Sequence, residues 1–268
     1  MGNRIKYKSE EEVEIIRKNC LIVSQALARV AEILKPGMTS RKIDEAAEEV
    51  VQDLGAKPGF KGLGGFPATL CVSYNDIVVH GIPGDYVFQE GDIVSVDCGS
   101  FSEGYYGDAA YTFAIGEVDE PIMKLLRITR ESLYKGIEKA IAGNRLGDIG
   151  DAIQDLTEKK HKYSIVRDLV GHGVGQELHE APQVPNYGKR GRGRKLKDGL
   201  VIAIEPMVNL GRKEIYQEDD GWTIRTRDGA PSAHFEHTIV VRRRESDILS
   251  SHDKLEENMK KNANLLDF

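Results

Sequence analysis

The feature that most constrains this chain is a set of four acidic residues inside segments that otherwise have the composition of β-strands. These segments are rich in β-branched and aromatic residues and are bounded by glycines. The acids are Asp97 in IVSVDCG, Asp108 in YYGDAAYTF, Glu205 in VIAIEPM and Glu236 in AHFEHTIVV. A buried charge costs several kcal/mol unless another group compensates it. The fold must therefore bring compensating charge to these carboxylates.

Basic side chains are one source of compensation, but no arginine or lysine lies within these strand segments. Divalent metal ions are the other. Taken alone, each acid is more often a turn residue or a residue on a solvated strand face. Together with one neutral imidazole, the four carboxylates carry a charge of −4, which two divalent cations would balance. Carboxylate and imidazole ligands suit Mn, Fe, Co or Zn better than Ca or Mg.

The imidazole is supplied by the stretch DLVGHGVGQELHEAP, residues 168–182, which places His172 and His179 seven positions apart. Its three closely spaced glycines disfavour a helix, because each costs about 1 kcal/mol in a helix interior. A lone histidine is more often a packed or capping residue. The glycine-rich backbone predicts instead a segment that can bend to bring both rings into one cavity.

Local patterns predict a mixed helix and strand protein. Ser9, followed by three glutamates, predicts a helix N-cap, and KPG at 35–37 ends that helix. A second helix begins at Thr39 or Ser40 and stops at Gly55. Further helices are predicted at about 120–141 and 146–160, and strands at 68–75, 91–116, 199–209 and 233–241. The eleven residues from Asp97 to Asp108 suit two strands of one hairpin.

Two further features bear on the organisation of the chain. The 268 residues favour one large α/β or α+β unit, which we take as a single domain over 1–268 with a helical arm from about 9 and a charged tail from about 242. A weak internal repeat at a shift of 106 aligns Gly37 with Gly143 and Ile43 with Ile149. If genuine, this repeat implies two similar halves with a site between them.

Composition excludes several classes of protein. The net charge of −6 argues against a DNA-binding role for the whole chain. The three cysteines, Cys20, Cys71 and Cys98, form no CxxC pair, which favours a reducing, cytoplasmic compartment. No apolar run approaches the ~18 residues of a membrane span, and the N-terminal stretch lacks the apolar region of a secretory signal.

Several motifs, in order and spacing, identify a family resemblance over roughly residues 4–245. They are NDIVVHGIP (75–83), VSVDCG around Asp97, YYGDAAYTF (105–113), GHGVGQELHEAP (171–182), IEPMVN (204–209) and DGWTIRTRDGAPSAHFEHTIVV (220–241). In these the chain resembles the type I methionine aminopeptidases, in their short bacterial form. The resemblance implies an α+β pita-bread fold, in which two pseudo-symmetric αβ halves with a curved, mainly antiparallel sheet covered by helices enclose a dinuclear metal site.

The resemblance also implies roles for individual residues. Asp97 would bind one metal, Asp108 and Glu236 would bridge both, and His172 and Glu205 would complete the second. A hydroxide bridging the two metals would attack the scissile amide carbonyl, with Glu205 as general base. His80 and His179 would contact the substrate and the tetrahedral intermediate. From the residues alone, His80 is better explained as a turn residue before Gly81 and Pro83. The implied reaction removes an initiator methionine when the second residue is small.

The implied methionine pocket is lined by Phe60, Leu63, Phe66, Cys71, Leu178 and Trp222. Each of these could equally be an ordinary core residue. The stretch GLGGFP (62–67) and Leu178 depart from many relatives, which often carry His, Tyr and Phe there, so the pocket shape stays open. The lack of basic residues on the acid-bearing strands independently favours a neutral amide substrate over a phosphoester.

The implied partner is the N-terminus of a peptide or nascent chain, and a monomer is the default for the family. The basic run KRGRGRKLK (189–197) is either a solvated loop or a contact with ribosomal RNA. Two alternatives to a methionine aminopeptidase remain. One is another pita-bread hydrolase of the X-Pro aminopeptidase or prolidase type, which usually carries a large additional N-terminal domain. The other is a non-enzymatic binding relative, which should have lost metal ligands.

Overall fold

The computed structural model describes residues 4–268, and all statements below on structure concern those residues. The helices are α1 (Glu10–Ile33), α2 (Ser40–Asp53), α3 (Glu120–Ile137), α4 (Leu146–Gln154) and α5 (Asp253–Lys261). The strands are β1 (Lys57–Pro58), β2 (Leu70–Tyr74), β3 (Ile77–Val79), β4 (Ile93–Ser102), β5 (Tyr105–Ile115), β6 (Ser164–Ile165), β7 (Gly171–Gly173), β8 (Glu180–Val184), β9 (Val201–Ile204), β10 (Met207–Asn209), β11 (Ile215–Gln217), β12 (Ile224–Thr226), β13 (Ser232–His234), β14 (Glu236–Val240), β15 (Asp247–Ile248) and β16 (Leu265–Leu266).

Ten of these strands form one sheet, in the order β1-β4-β5-β14-β9-β7-β8, with β2 paired to β4, β15 to β14 and β16 to β5. Two smaller sheets have the orders β13-β10-β6 and β11-β12-β3. The strand pairs within these sheets are antiparallel. With helices packed against the sheet, the molecule has the α+β architecture that the sequence predicts.

The predicted helix boundaries are confirmed where local capping chemistry defines them. Ser9 caps α1 in a capping box: its Oγ accepts from the backbone N–H of Glu12, and its own N–H donates to Glu12 Oε2 at 2.8 Å. The helix ends just before Lys35–Pro36. The third helix is shorter than predicted, and the end of the fourth predicted segment is a π-helical turn, Asp155–Lys160. Gly37 and Gly143, aligned by the internal repeat, both have positive φ.

Two predicted strands are each divided into a pair of shorter strands. The segment 199–209 breaks after Ile204, because Pro206 has no N–H for a sheet hydrogen bond. The segment 233–241 breaks at Phe235. In both cases one half lies in the ten-stranded sheet and the other in the β13-β10-β6 sheet. Glu205 and Glu236 therefore lie where the two sheets meet.

The segment after Arg242, predicted as a charged tail, contributes three elements to the fold. Strand β16 pairs with β5, and β15 pairs with β14. Helix α5 packs beside α1, where Asn258 Nδ2 donates to the carbonyl oxygen of Ala28 at 2.8 Å. Among the described residues, no helix is both long enough and apolar enough to cross a membrane.

Candidate metal centre

Strand register brings three of the four acids onto one face of the large sheet. On one side of β5, Asp97 pairs with Ala110, and on the other side Glu236 pairs with the same alanine. Asp108 precedes Ala110 by two positions on β5, so its side chain points to the same face. Directly paired residues of antiparallel strands also share a face. The hairpin predicted from the spacing of Asp97 and Asp108 is thus confirmed.

The neighbouring strands supply Glu205 and His172. Since His237 pairs with Ile204, Glu236 and Glu205 are adjacent across β14 and the end of β9. His172 lies on β7, next to β9. Its Nε2 is 3.2 Å from Glu205 Oε1 and 3.7 Å from Asp108 Oδ2. Asp108, His172 and Glu236 each offer one donor atom within 4.8 Å of the other two, a spacing suited to a single metal ion.

Asp108 and Glu236 are buried, and Asp97 and Glu205 are largely buried, without the basic partners that a buried charge requires. Their ion-pair neighbours within residues 4–268 are imidazoles, with no arginine or lysine among them. Burial raises the pKa of Asp97 to about 7. Burial, and then repulsion between the carboxylates, raises the pKa values of Asp108, Glu205 and Glu236 well above the ordinary range.

One oxygen of each of these four carboxylates is buried with no hydrogen-bond partner in the protein. Such unpaired acceptors are costly, and native structures nearly always satisfy them. Hard or borderline divalent cations accept electron pairs from carboxylate oxygens and neutralise their charge. The residues present therefore fit a metal centre.

The backbone also prepares His172 to act as a metal ligand. Burial lowers its pKa to about 3, so the ring is neutral at physiological pH. Its Nδ1 lies 3.0 Å from the carbonyl oxygen of Gly173, which accepts only if Nδ1 carries the proton. This tautomer leaves the Nε2 lone pair directed at Asp108 and Glu205, as a metal ligand requires.

The acids and His172 open onto a cavity of about 230 Å³. Every residue predicted from the sequence for the site lines this cavity: Phe60, Leu63, Phe66, Cys71, His80, Asp97, Asp108, His172, Leu178, His179, Glu205, Trp222 and Glu236. One wall is an apolar cluster that includes Phe60, Phe66, Cys71 and Leu178, all buried. Trp222 meets Phe66 edge-on, with ring centroids 5.2 Å apart. Leu63 is 39% exposed and lies on the solvent side.

His80 and His179 lie at the same cavity but outside the cluster of acids. His80 follows β3 and has φ +59, an uncommon conformation for a residue other than glycine. Burial lowers its pKa to about 4, so it is neutral. The His179 ring lies edge-on to that of His172, with centroids 4.4 Å apart. Neutral imidazoles in these positions can donate or accept a hydrogen bond to a molecule in the cavity.

Two features of the site were not predicted from the sequence. His234 is buried in the cavity wall, with Nε2 3.8 Å from Glu205 Oε2. Its position two residues before Glu236, on the same side of an extended segment, was the available signal. Lys8 forms a buried ion pair with Glu180, at 2.6 Å between Nζ and Oε2. The two residues are 172 positions apart, so no local pattern indicates their contact.

With this geometry in place, comparison with known proteins establishes the class. A model of metallopeptidase family M24 matches residues 14–243. The chain belongs to that family and is a metallopeptidase.

Particular relatives narrow the class further. A methionine aminopeptidase of Clostridium perfringens is 50% identical over 87% of this chain and 94% of its own length. The crystal structure of methionine aminopeptidase from Thermotoga maritima is 45% identical, with a TM-score of 0.91 over 92% of this chain and all of that one. The prolidase from Pyrococcus furiosus, at 24% identity, matches in fold with a TM-score of 0.73. The predicted pita-bread fold is thereby confirmed.

Proposed function

We propose that this protein is a metal-dependent aminopeptidase that removes the initiator methionine from peptides and nascent proteins when the second residue is small. The observation that carries this proposal is a cluster of four carboxylates, each with a buried unpaired oxygen, and one imidazole, without basic partners, beside an apolar wall. The methionine aminopeptidases with 45–50% identity over most of the chain support it.

The centre would hold two divalent ions of the Mn, Fe, Co or Zn type. Asp97 would bind one ion and Asp108 and Glu236 both, while His172 and Glu205 would bind the second. When bound, such a pair supplies a nucleophilic water at neutral pH and polarises the scissile carbonyl. Support comes from charge balance and from the unpaired oxygen that each carboxylate presents.

The remaining steps are assigned to this chain's own groups. Glu205, whose carboxylate faces the cavity, would take the proton of the attacking water and return it to the leaving amine. His179 would donate a hydrogen bond to the carbonyl oxygen as negative charge develops there. His80 would contact the substrate amide. The free α-amine of the substrate would bind beside Asp97, which would restrict cleavage to the first residue.

The apolar wall would receive the methionine side chain. Phe60, Phe66, Cys71 and Leu178 form a buried surface, with Trp222 at one edge and Leu63 at the solvent side. An apolar pocket of this kind discriminates between side chains by about 1–3 kcal/mol per methylene. We therefore expect methionine to be preferred over shorter apolar residues, with less absolute selectivity than a pocket with polar contacts would give.

The direct test is incubation of metal-loaded protein with Met-Ala-Ser and with Ala-Pro-Phe. Release of free methionine from the first peptide, abolished by a chelator and restored by metal, supports the proposal. Release of alanine alone would support an X-Pro aminopeptidase or prolidase activity. Cleavage of neither peptide under Mn, Fe, Co and Zn would favour a non-enzymatic binding relative.

We further propose that the chain acts as one catalytic domain over 1–268, as a monomer, in the cytoplasm. Support for a single domain is the pairing of β16, near the C-terminal end of the chain, with β5 in the large sheet. Support for a reducing compartment is that all three cysteines are free and buried. Sedimentation equilibrium would test the oligomeric state, and a dimer would contradict the monomer.

The basic segment 189–197 is proposed to make a transient contact with ribosomal RNA. Its arginine and lysine side chains are solvent-exposed. Phosphate contacts release counterions, so ribosome co-sedimentation should weaken steeply with rising salt. Replacing Arg190, Arg192 and Arg194 with glutamine should abolish it without changing peptide cleavage. Absence of co-sedimentation at low salt would identify the segment as a solvated loop.

A further inference from the structure

Hydrogen bonds hold the backbone of His234, but no group among the described residues pairs with Nε2 of its side chain. It is 2% exposed and ends β13, where it pairs with Met207 of β10. Its backbone N–H donates to Thr112 Oγ1 at 3.0 Å, and the Thr112 hydroxyl donates to its carbonyl oxygen at 2.6 Å. One side chain thus holds both polar backbone groups of His234, which fixes the position from which the imidazole extends.

The ring points into the cavity with an unpaired nitrogen. Nε2 of His234 is buried and has no hydrogen-bond partner in the protein. Leaving a buried polar group unsatisfied costs about 1–3 kcal/mol. The nearest carboxylate is that of Glu205, whose Oε2 is 3.8 Å from Nε2. This is longer than the roughly 2.7–3.2 Å of a typical N–H···O hydrogen bond, so a hydrogen bond requires the two side chains to move closer together.

Glu205 consequently lies between two imidazoles, one facing each oxygen. Oε1 faces His172, at 3.2 Å from Nε2, and Oε2 faces His234. The two histidines differ in their surroundings. The Nδ1 of His172 is held by a backbone carbonyl, which leaves its Nε2 as a lone-pair donor. For His234, the carboxylate nearest to Nε2 is that of Glu205, an acceptor, which favours a proton on that nitrogen.

We propose that His234 is a positioning residue, which donates its Nε2–H to Glu205 Oε2 and so fixes the orientation of that carboxylate in the metal centre. The inference rests on the proposed function, because it assigns Glu205 to metal binding and proton transfer. With Oε2 held by His234, Oε1 remains directed towards His172. A ligand carboxylate that is free to rotate would bind metal more weakly and transfer a proton less efficiently.

Two substitutions separate hydrogen bonding from shape. His234→Leu keeps a side chain of moderate size but removes the donor, whereas His234→Gln restores an N–H at similar reach. The matched control is His252→Leu, which replaces another buried histidine whose ring nitrogens are unpaired but which lies outside the cavity. Two quantities are measured: the dissociation constant of Mn²⁺ from the metal-free protein, by calorimetry, and kcat and KM for Met-Ala-Ser.

We expect His234→Leu to weaken Mn²⁺ binding and to lower kcat, each by about 10- to 100-fold, the range seen when a partner of a metal ligand is lost. KM should change little, the number of bound ions should stay the same, and His234→Gln should recover most of both losses. The control should match the wild type in both measurements.

Three results would overturn the inference. Wild-type values for His234→Leu would show that the histidine does not act on Glu205. Equal losses in His234→Leu and His234→Gln would show that ring shape, not hydrogen bonding, matters. Loss of one bound ion in both variants would make His234 a metal ligand. Failure of the proposed function is separate, since it would appear as wild-type protein that releases no methionine under any metal.

Discussion

Buried carboxylates occur in two adjoining regions of this molecule, and only one of the two regions supplies a basic partner. Glu180, directly after His179, has a side chain that is 4% exposed and is paired with Lys8 Nζ at 2.6 Å. Its other oxygen accepts the backbone N–H of Gln176 at 2.9 Å. The cluster formed by Asp97, Asp108, Glu205 and Glu236 has no lysine or arginine partner among the described residues and leaves an oxygen of each side chain unpaired.

The difference separates a structural acid from the acids that we propose to bind metal. The charge of Glu180 is neutralised within the chain, so it holds the turn after β7 in place whether or not anything binds. The four clustered acids repel each other and have only neutral imidazoles as ion-pair neighbours. Their repulsion and desolvation therefore lower the stability of the folded protein when no metal is bound. Loss of a charge from the Lys8–Glu180 pair should therefore destabilise the fold. Loss of a charge from the cluster should leave the metal-free fold as stable or more stable, and should weaken metal binding.

The largest effect on stability is expected from Lys8→Met, which leaves Glu180 buried without its close partner. Breaking a buried pair in this way costs about 3–5 kcal/mol in the free energy of unfolding, measurable by urea denaturation. Lys6, at 3.5 Å from Glu180 and 47% exposed, is the matched control, and Lys6→Met should cost about 0–1 kcal/mol. The double variant Lys8→Met with Glu180→Gln should be more stable than Lys8→Met alone. Equal costs for the two lysine variants would contradict the distinction.

The next largest effect is expected on catalysis, from His179→Ala. Loss of one hydrogen bond to a developing oxyanion typically lowers kcat by about 10²–10³-fold. Metal content, measured by mass spectrometry of the dialysed protein, should stay near that of the wild type. His172→Ala is the comparison from the same segment, and it should lose metal affinity first. If His179→Ala also loses its metal, the role assigned to that ring is wrong.

In metal-free protein, Asp108→Asn should change the stability in the opposite direction to Lys8→Met. Removing one charge from a cluster of like charges should leave the melting temperature unchanged or raise it. Added Mn²⁺ at 100 times its dissociation constant should stabilise the wild type by about 2.7 kcal/mol for each site that is filled, and the variant by much less. A metal-free variant that unfolds several kcal/mol more easily would mean that the cluster is structural, like Glu180.

A smaller effect, dependent on pH, is expected at His252, which does not line the cavity. Its ring stacks on His237 at 4.0 Å and meets Tyr111 edge-on, while Arg130 lies nearby. Burial lowers the pKa of His252 well below 6.5. Because the unfolded chain takes up a proton here near pH 6.5 and the folded chain does not, stability is present above pH 6.5 and declines below it.

His252→Leu should therefore lose less stability than the wild type between pH 6.5 and 4.5, as followed by thermal unfolding at several pH values. Other titrating groups are common to both proteins, so only the difference between the two curves is interpreted. Parallel curves would show that His252 does not titrate in the unfolding transition.

Local chemistry explains which parts of the fold could be predicted from the sequence. The capping box at Ser9 and the hairpin from Asp97 to Asp108 depend on residues close in sequence, and both are confirmed. The division of the predicted strands at Pro206 and Phe235 depends on which sheet each half joins, which periodicity does not reveal. Pairing between strands that are distant in sequence is likewise not revealed by periodicity.

The candidate site shows this limit most clearly. The residues predicted for it line one cavity. They could be predicted because acids are unusual in such strand contexts and because their motifs resemble a known family. The contact of Lys8 with Glu180 could not be predicted, because the two residues are 172 positions apart and the N-terminal segment has no pattern that indicates burial. For His234, the position two residues before Glu236 is the one sequence signal, and it does not by itself indicate a function.

Metal stoichiometry is the most direct measurement of the central claim that the clustered acids are neutralised by bound cations. Metal-free protein would be dialysed to equilibrium against Mn²⁺ at neutral pH, and the bound metal counted by mass spectrometry. We expect two ions per chain in the wild type and fewer in Asp108→Asn. A wild-type protein that binds no Mn²⁺, Fe²⁺, Co²⁺ or Zn²⁺ above the level of the Asp108→Asn variant would contradict the claim.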